Sequence, residues 1–241
     1  MTAASRFEVY GATDPGCVRA NNEDAYLIDQ SQGLYLLADG MGGARAGEHA
    51  SKLAVDTVEA RIREANKATP ELLTESFEAA NNAVLTASTS DEALRGMGTT
   101  LVGVLDCGDA LAVASVGDSR CYLFENGELK LISEDQTWAH EIGQHLGIDA
   151  VAMRSHPMRH VLTMAIGVSG QLRVNHYLIH PAPGAQILLC SDGLHGVAPD
   201  ERIGQVLAAD GSLEAKCRKL VDLARELGGP DNITAVILQA A

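Results

Sequence analysis

The chain predicts an α+β fold of antiparallel sheets with helices layered outside them, and three observations carry that prediction. Apolar runs of strand length recur at residues 34–37, 101–105, 110–117, 187–190 and 233–238. Other strand-like segments are joined by connections too short for a helical crossover, such as the hairpin turn pair Asn126-Gly127 between 121–124 and 129–132. Helical periodicity comes in batches between groups of strands, without the regular alternation of a parallel sheet.

In chain order, residues 7–11 read as a first strand, followed by a polar loop, Asp14 to Asp24, with Pro15-Gly16 turn chemistry. A strand at 25–28 precedes the run Leu34-Tyr35-Leu36-Leu37, whose unbroken apolarity indicates burial on both faces. That strand is expected to end before Asp39-Gly40-Met41-Gly42-Gly43. Residues 45–67 have helical spacing, with Ala50, Leu53, Ala54, Val58 and Ile62 on one face. His49 on that helix reads as structural. A second helix starts with Thr69 as cap and Pro70 at its first position, and carries the stripe Leu73, Phe77, Ala80 and Val84. Both helices are amphipathic and so should lie on the outside of a sheet.

Strands at 101–105, 110–117, 121–124 and 129–132 form an antiparallel group. Residues 134–160 are polar and histidine-rich, without a clear period. His140 and His145 are five apart, which on a helix splays the rings by about 140° and disfavours a shared zinc. The sheet resumes at 173–180 and 186–191. Helices follow at 199–208 and 212–227, the second turning Leu213, Cys217, Leu220, Val221 and Ala224 inward. No linker, repeat or low-complexity tract divides residues 1–241, so a single domain is expected.

A formal net charge of −14 argues against a nucleic-acid or anionic-membrane surface. No apolar run reaches the length of a membrane span, and residues 1–10 lack the basic-then-apolar pattern of a signal peptide. The five cysteines are scattered without a Cys-x-x-Cys pair, as in a reducing compartment. The expectation is a cytoplasmic protein.

The acids carry the chemistry. Asp39, Asp118 and Asp192 each follow an apolar strand, while Asp24 and Asp231 each precede one. Any one Asp-Gly is ordinary turn chemistry, but the recurrence implies that strand ends in one sheet layer bring these carboxylates together. Clustered carboxylates repel unless cations neutralise them, and an all-oxygen set selects Mg²⁺ or Mn²⁺ over zinc. Arg19 is a fork donor suited to phosphate or carboxylate. No Walker loop, dinucleotide fingerprint or nucleophile elbow is present, and Cys190 reads as a buried thiol, so a covalent nucleophile is not expected.

Six blocks, in order, resemble the metal-dependent serine/threonine protein phosphatases of the type-2C (PPM) family, bacterial branch. They begin with Asp14-x-Gly16-x-Val18-Arg19 running to Glu23-Asp24, then Ala38-Asp39-Gly40-Met41-Gly42-Gly43 and Gly96-Met97-Gly98-Thr99-Thr100. Val116-Gly117-Asp118-Ser119-Arg120, Leu189-Cys190-Ser191-Asp192-Gly193-Leu194 and Gly229-Pro230-Asp231-Asn232-Ile233-Thr234 complete them. The resemblance implies a four-layer α-β-β-α sandwich with two metal ions, Mn²⁺ or Mg²⁺, at one end. By position Asp39 would bridge them, the Gly40 carbonyl would bind the first, and Asp192 and Asp231 the second. Glu23 and Asp24 would hold waters on the metals, and Asp118 with Asp192 a third ion. Arg19 would grip the substrate phosphate, leaving Arg19, Asp39 and Asp192 as the catalytic residues. A metal-activated water would then attack phosphorus in line, with no phospho-enzyme.

Two departures stand out. Animal members place a histidine just after the Asp-Gly pair where this chain has Met41, and many bacterial relatives have one where it has Ala44. The family's Asp-His-Ser is here Asp135-Gln136-Thr137, opening a flap-like segment at about 135–157. The resemblance implies phosphorylated protein substrates, an opposing Ser/Thr kinase and a monomer, with no nucleic acid or membrane. Two alternatives stay open: a pseudophosphatase that binds phosphoproteins without turnover, and a hydrolase of small phosphomonoesters.

Overall fold

The computed structural model describes residues 6–143, 153 and 156–241. His145 and much of the expected flap lie outside the described residues.

Two antiparallel sheets stack face to face. One has the order β1-β11-β10-β7-β8, built from Phe7–Asp14, Ile233–Ala240, Gln186–Cys190, Arg120–Glu125 and Glu128–Leu131. The other has the order β2-β3-β5-β6-β9, from Asp24–Asp29, Leu34–Met41, Leu101–Asp106, Leu111–Val116 and Asn175–Ile179. The two-residue β4, Gly98–Thr99, pairs with the end of β3. Helices α1 (Ala44–Glu64) and α2 (Pro70–Ser90) cover the second sheet. Three more, α3 (Asp192–His195), α4 (Asp200–Ala208) and α5 (Leu213–Glu226), cover the first. The expected α-β-β-α sandwich is what forms.

The apolar runs explain the layering. Leu34, Leu36 and Ala38 point into the core under α1 and α2, while Tyr35 and Leu37 point into the core between the sheets. In β11, Ile233, Ala235 and Ile237 face α5, and Val236 and Leu238 face the other sheet. A strand buried on both faces has no polar side to show, which is why these segments read as runs and not as alternation.

Local signals also hold. Asn126 and Gly127 take φ of 53° and 82°, as a type I′ hairpin turn requires. Thr69 Oγ1 accepts the Leu72 amide at 3.2 Å, with Pro70 at the first helical position. Thr69→Ala should cost about 1 kcal/mol, read as a lower denaturation midpoint with an unchanged slope.

Two expectations need correction. The strand expected over 34–37 runs on to Met41, because Asp39 pairs across to Asp24 and Gly40 to Thr99. His49, read as structural, lies exposed on α1.

Candidate active site

The acids do meet, but not on the edge of one sheet layer as the sequence suggested. They come from both sheets at one end of the sandwich. Asp24 and Asp39 are cross-strand partners on β2 and β3. Asp118 sits in the turn from β6 to β7, where the chain passes between sheets and Gly117 takes a φ of 94°. Asp192 opens α3 directly after β10, and Asp231 precedes β11.

A polar lattice fixes them. Asp24 Oδ2 accepts the hydroxyls of Thr234 at 2.6 Å and Ser191 at 2.8 Å, tying one sheet to the other. The Thr100 hydroxyl accepts the Asp39 amide at 2.9 Å, and Thr99 Oγ1 donates to the Asp39 carbonyl at 2.8 Å. Asn232 uses its whole amide to clamp the loop before β2: Oδ1 accepts the Glu23 amide, and Nδ2 donates to the Pro15 and Asn21 carbonyls. His195 Nε2 lies 3.0 Å from the Asp118 carbonyl. Burial holds this ring neutral, with its pKa down to about 3, so Nε2–H donates to that carbonyl and fixes the turn carrying Asp118. Ser191, Thr234 and His195 were not singled out from the sequence as site residues. Their signal was adjacency to the acidic motifs, but their partners lie far along the chain.

Electrostatically the cluster is under stress. Burial, then repulsion from Asp24, Asp192, Asp118 and Asp231, pushes the Asp39 carboxyl well above the usual range. Burial raises Asp24 to about 7, against the opposing effect of its two hydroxyl donors. Burial and the neighbouring Asp192 raise Asp118 to about 8. Burial and Asp231 raise Asp192. Burial also raises Glu23, with the nearby Arg19 pulling the other way. Asp24 Oδ1 and Asp192 Oδ1 are buried with no hydrogen-bond partner. A buried carboxylate oxygen left bare is costly, and here it is matched by others of the same sign.

These features fit a hard divalent cation. All donors are oxygen, charge is in excess, and two buried oxygens await a partner. Among the described residues no three His, Cys, Asp or Glu side chains form a closed ligand set. Water and backbone carbonyls would have to complete the coordination, as Mg²⁺ and Mn²⁺ chemistry permits. At Gly40 the backbone packs too closely for any side chain: a Cβ there would stand 2.2 Å from the Gly47 carbonyl and 2.6 Å from that of Glu23. Gly40→Ala should therefore abolish activity and cost about 1–3 kcal/mol by overpacking. Gly204→Ala, where the added carbon meets only Leu129 Cβ at 3.7 Å, should leave activity intact and slightly raise the melting temperature.

Arg19 Nη2 donates to Asp231 Oδ2 at 2.8 Å, so the predicted phosphate donor is paired with a predicted metal ligand. Its side chain is half-exposed at the cleft. That cleft, about 580 Å³, is lined by Arg19, Glu23, Asp39, Gly40, Asp118, Asp192 and Asp231 among others, which gathers every predicted site residue except Asp24, held beside it by its bonds to Ser191 and Thr234. Cys190 lies fully buried in β10 with its thiol pKa pushed up by burial, so no thiolate nucleophile is available there.

A two-sheet sandwich with a carboxylate cluster at one end defines the class: an α+β protein whose site is suited to divalent cations. The model of the family Protein phosphatase 2C matches residues 18–224, and the chain belongs to that family. It is 33% identical to the serine/threonine phosphatase stp of Listeria monocytogenes serotype 4b over 239 residues, covering 94% of this chain and 93% of that protein. The crystal structure of the Mycobacterium tuberculosis serine/threonine phosphatase PstP/Ppp aligns with a TM-score of 0.89 at 33% identity, over 97% of this chain and 98% of that one. The catalytic domain of PstP in complex with two manganese ions aligns at 0.86 and 32% identity, over 98% of each chain. No helix among the described residues is long and apolar enough to cross a membrane.

Proposed function

We propose that this chain is a metal-dependent protein phosphatase that hydrolyses phosphoserine and phosphothreonine as a single catalytic domain. One observation carries the reading: buried carboxylates from both sheets converge at one end, mutually destabilised and with two oxygens unpartnered. The family's named members and the two-manganese structure support it.

In this reading Asp39, the Gly40 carbonyl, Asp192 and Asp231 hold two divalent cations, and Asp118 with Asp192 offers a place for a third. Cations held by these residues would offset the charge of the cluster and would supply a water that ionises near neutral pH. Glu23 and Asp24 order the surrounding water. Arg19 leaves or shares Asp231 and presents its fork to the phosphate, offsetting the charge that gathers on the equatorial oxygens. The buried hydroxyl and amide lattice keeps the carboxylates from relaxing when charge moves. The same oxygens accept either Mn²⁺ or Mg²⁺, and the enzyme acts in the cytoplasm as a monomer opposing a Ser/Thr kinase.

The test is phosphate release from a phosphothreonine peptide with Mn²⁺ or Mg²⁺, then with chelator. Release that needs metal and disappears in Asp192→Asn is expected. Peptide binding without release at any metal concentration would contradict it and favour the pseudophosphatase. Arg19→Ala should lower kcat/KM on the same peptide by roughly tenfold to hundredfold, the value of one or two charge-assisted hydrogen bonds.

A further inference from the structure

The cleft is larger than a phosphate needs. At about 580 Å³ it falls within the range of about 300–1,000 Å³ that holds whole small ligands. One end carries the carboxylates and Arg19, and the rest of the lining includes Met41, Val161, Met164 and Val168. Two of these are unusually open for aliphatic side chains: Val161 is 46% and Val168 59% exposed. Scattered apolar residues on a surface mean little, but these line the same cleft as the carboxylates.

The wall is built and held. Met41 Cε and Val168 Cγ2 approach the same point above Gly98, at 2.8 and 2.9 Å from where a Cβ would stand, so the two side chains are neighbours. Asn81, buried on α2, spends its amide on the turn that carries Val168: Oδ1 accepts the Gly167 amide at 2.8 Å and Nδ2 donates to the Ser169 carbonyl at 2.9 Å. On the other side Ile166 exchanges both backbone hydrogen bonds with Thr99, at 2.9 and 3.1 Å. Gly167 takes a φ of 84° and packs so closely on Val84 that a Cβ would come within 2.2 Å of it. A buried amide and a strand bridge thus fix a turn whose tip is an exposed valine. Val161 is anchored likewise, its carbonyl accepting the Trp138 amide at 2.7 Å.

The geometry points to a substrate subsite: Val168, Val161 and Met41 form an apolar wall that receives an aliphatic side chain within two residues of the phosphorylated residue. The inference rests on the phosphatase reading and adds to it the kind of sequence the enzyme prefers. The occupant is a peptide side chain because the wall is continuous with the phosphate end of one cleft, so a chain held by its phosphate must pass along it. A rigid wall also keeps the ordering cost of binding low.

The experiment scans leucine against glutamine at the two positions on each side of phosphothreonine, with p-nitrophenyl phosphate as a substrate lacking flanks. Wild-type enzyme should favour leucine at one or more positions by at least about tenfold in kcat/KM, the lower bound for a small apolar pocket. Val168→Ser should cut that preference to under about threefold while leaving p-nitrophenyl phosphate hydrolysis unchanged, which also shows that the variant is folded. A flat scan in the wild type overturns the subsite and leaves the phosphatase reading standing. So does a preference that survives Val168→Ser, or a loss that falls equally on both kinds of substrate. Failure of the wild type to hydrolyse any substrate overturns both.

Discussion

Asp39→Asn should lose phosphatase activity and gain stability in the metal-free state. Asp39 is buried, and four other carboxylates act to raise its pKa. A neutral amide of the same shape removes a carboxyl that burial and its four acidic neighbours disfavour in the ionised form. Activity should fall roughly 10²–10³-fold, the range for deleting one preorganised electrostatic contributor. At pH 8 without metal the variant should melt above the wild type, with each kcal/mol gained worth about 2–4 °C in a chain of this size. Mn²⁺ should raise the wild-type melting temperature and barely move that of the variant. Lower stability of the variant in chelator would show that Asp39 serves packing and not a cation.

Metal-free protein should lose stability as pH rises from about 4 to about 8. The sign follows from linkage. The folded pKa values of Asp24 and Asp118 are raised, to about 7 and about 8, while the unfolded chain ionises near the ordinary carboxylate value. Across that window the unfolded state has released its protons and the folded state still holds them, so each rise in pH favours unfolding. Once pH passes the folded values the loss is complete. A fall of at least about 10 °C in melting temperature between pH 5 and pH 8 is the expected size, from the roughly 5 pH units, summed over the two groups, through which the folded state keeps its protons in that window. Mn²⁺ should reverse it, and stabilise far more at pH 8 than at pH 5, where protons compete for the same oxygens. A melting temperature that is flat or rises over this range in chelator would contradict the repulsion.

Much of this was legible in the residues. Runs such as 34–37 and 233–238 read as strands buried twice over because sandwich strands carry apolar side chains on both faces. Thr69-Pro70 and Asn126-Gly127 encode their own local geometry. The acids stood out because a charge beside a buried strand needs a reason. What remained hidden depended on tertiary pairing. Nothing near Leu37 shows that β3 continues through Asp39, since that follows from its partners Asp24 and Thr99. Local patterns placed the acids on one sheet edge, whereas the turn at Gly117-Asp118 carries the chain between sheets and makes the site a joint product of both. The ties from Asp24 to Ser191 and Thr234 span 167 and 210 residues, beyond any periodicity. The anchoring of Val168 through Asn81, 86 residues before Gly167, was invisible for the same reason.

The most direct measurement is the number of Mn²⁺ ions bound per chain at pH 8, by titration calorimetry on metal-stripped protein, for the wild type and Asp39→Asn. The account predicts at least two ions on the wild type and loss of both from the variant, because on the proposed assignment both would depend on Asp39. Wild-type protein that binds no Mn²⁺, or a variant that binds as the wild type does, would contradict it.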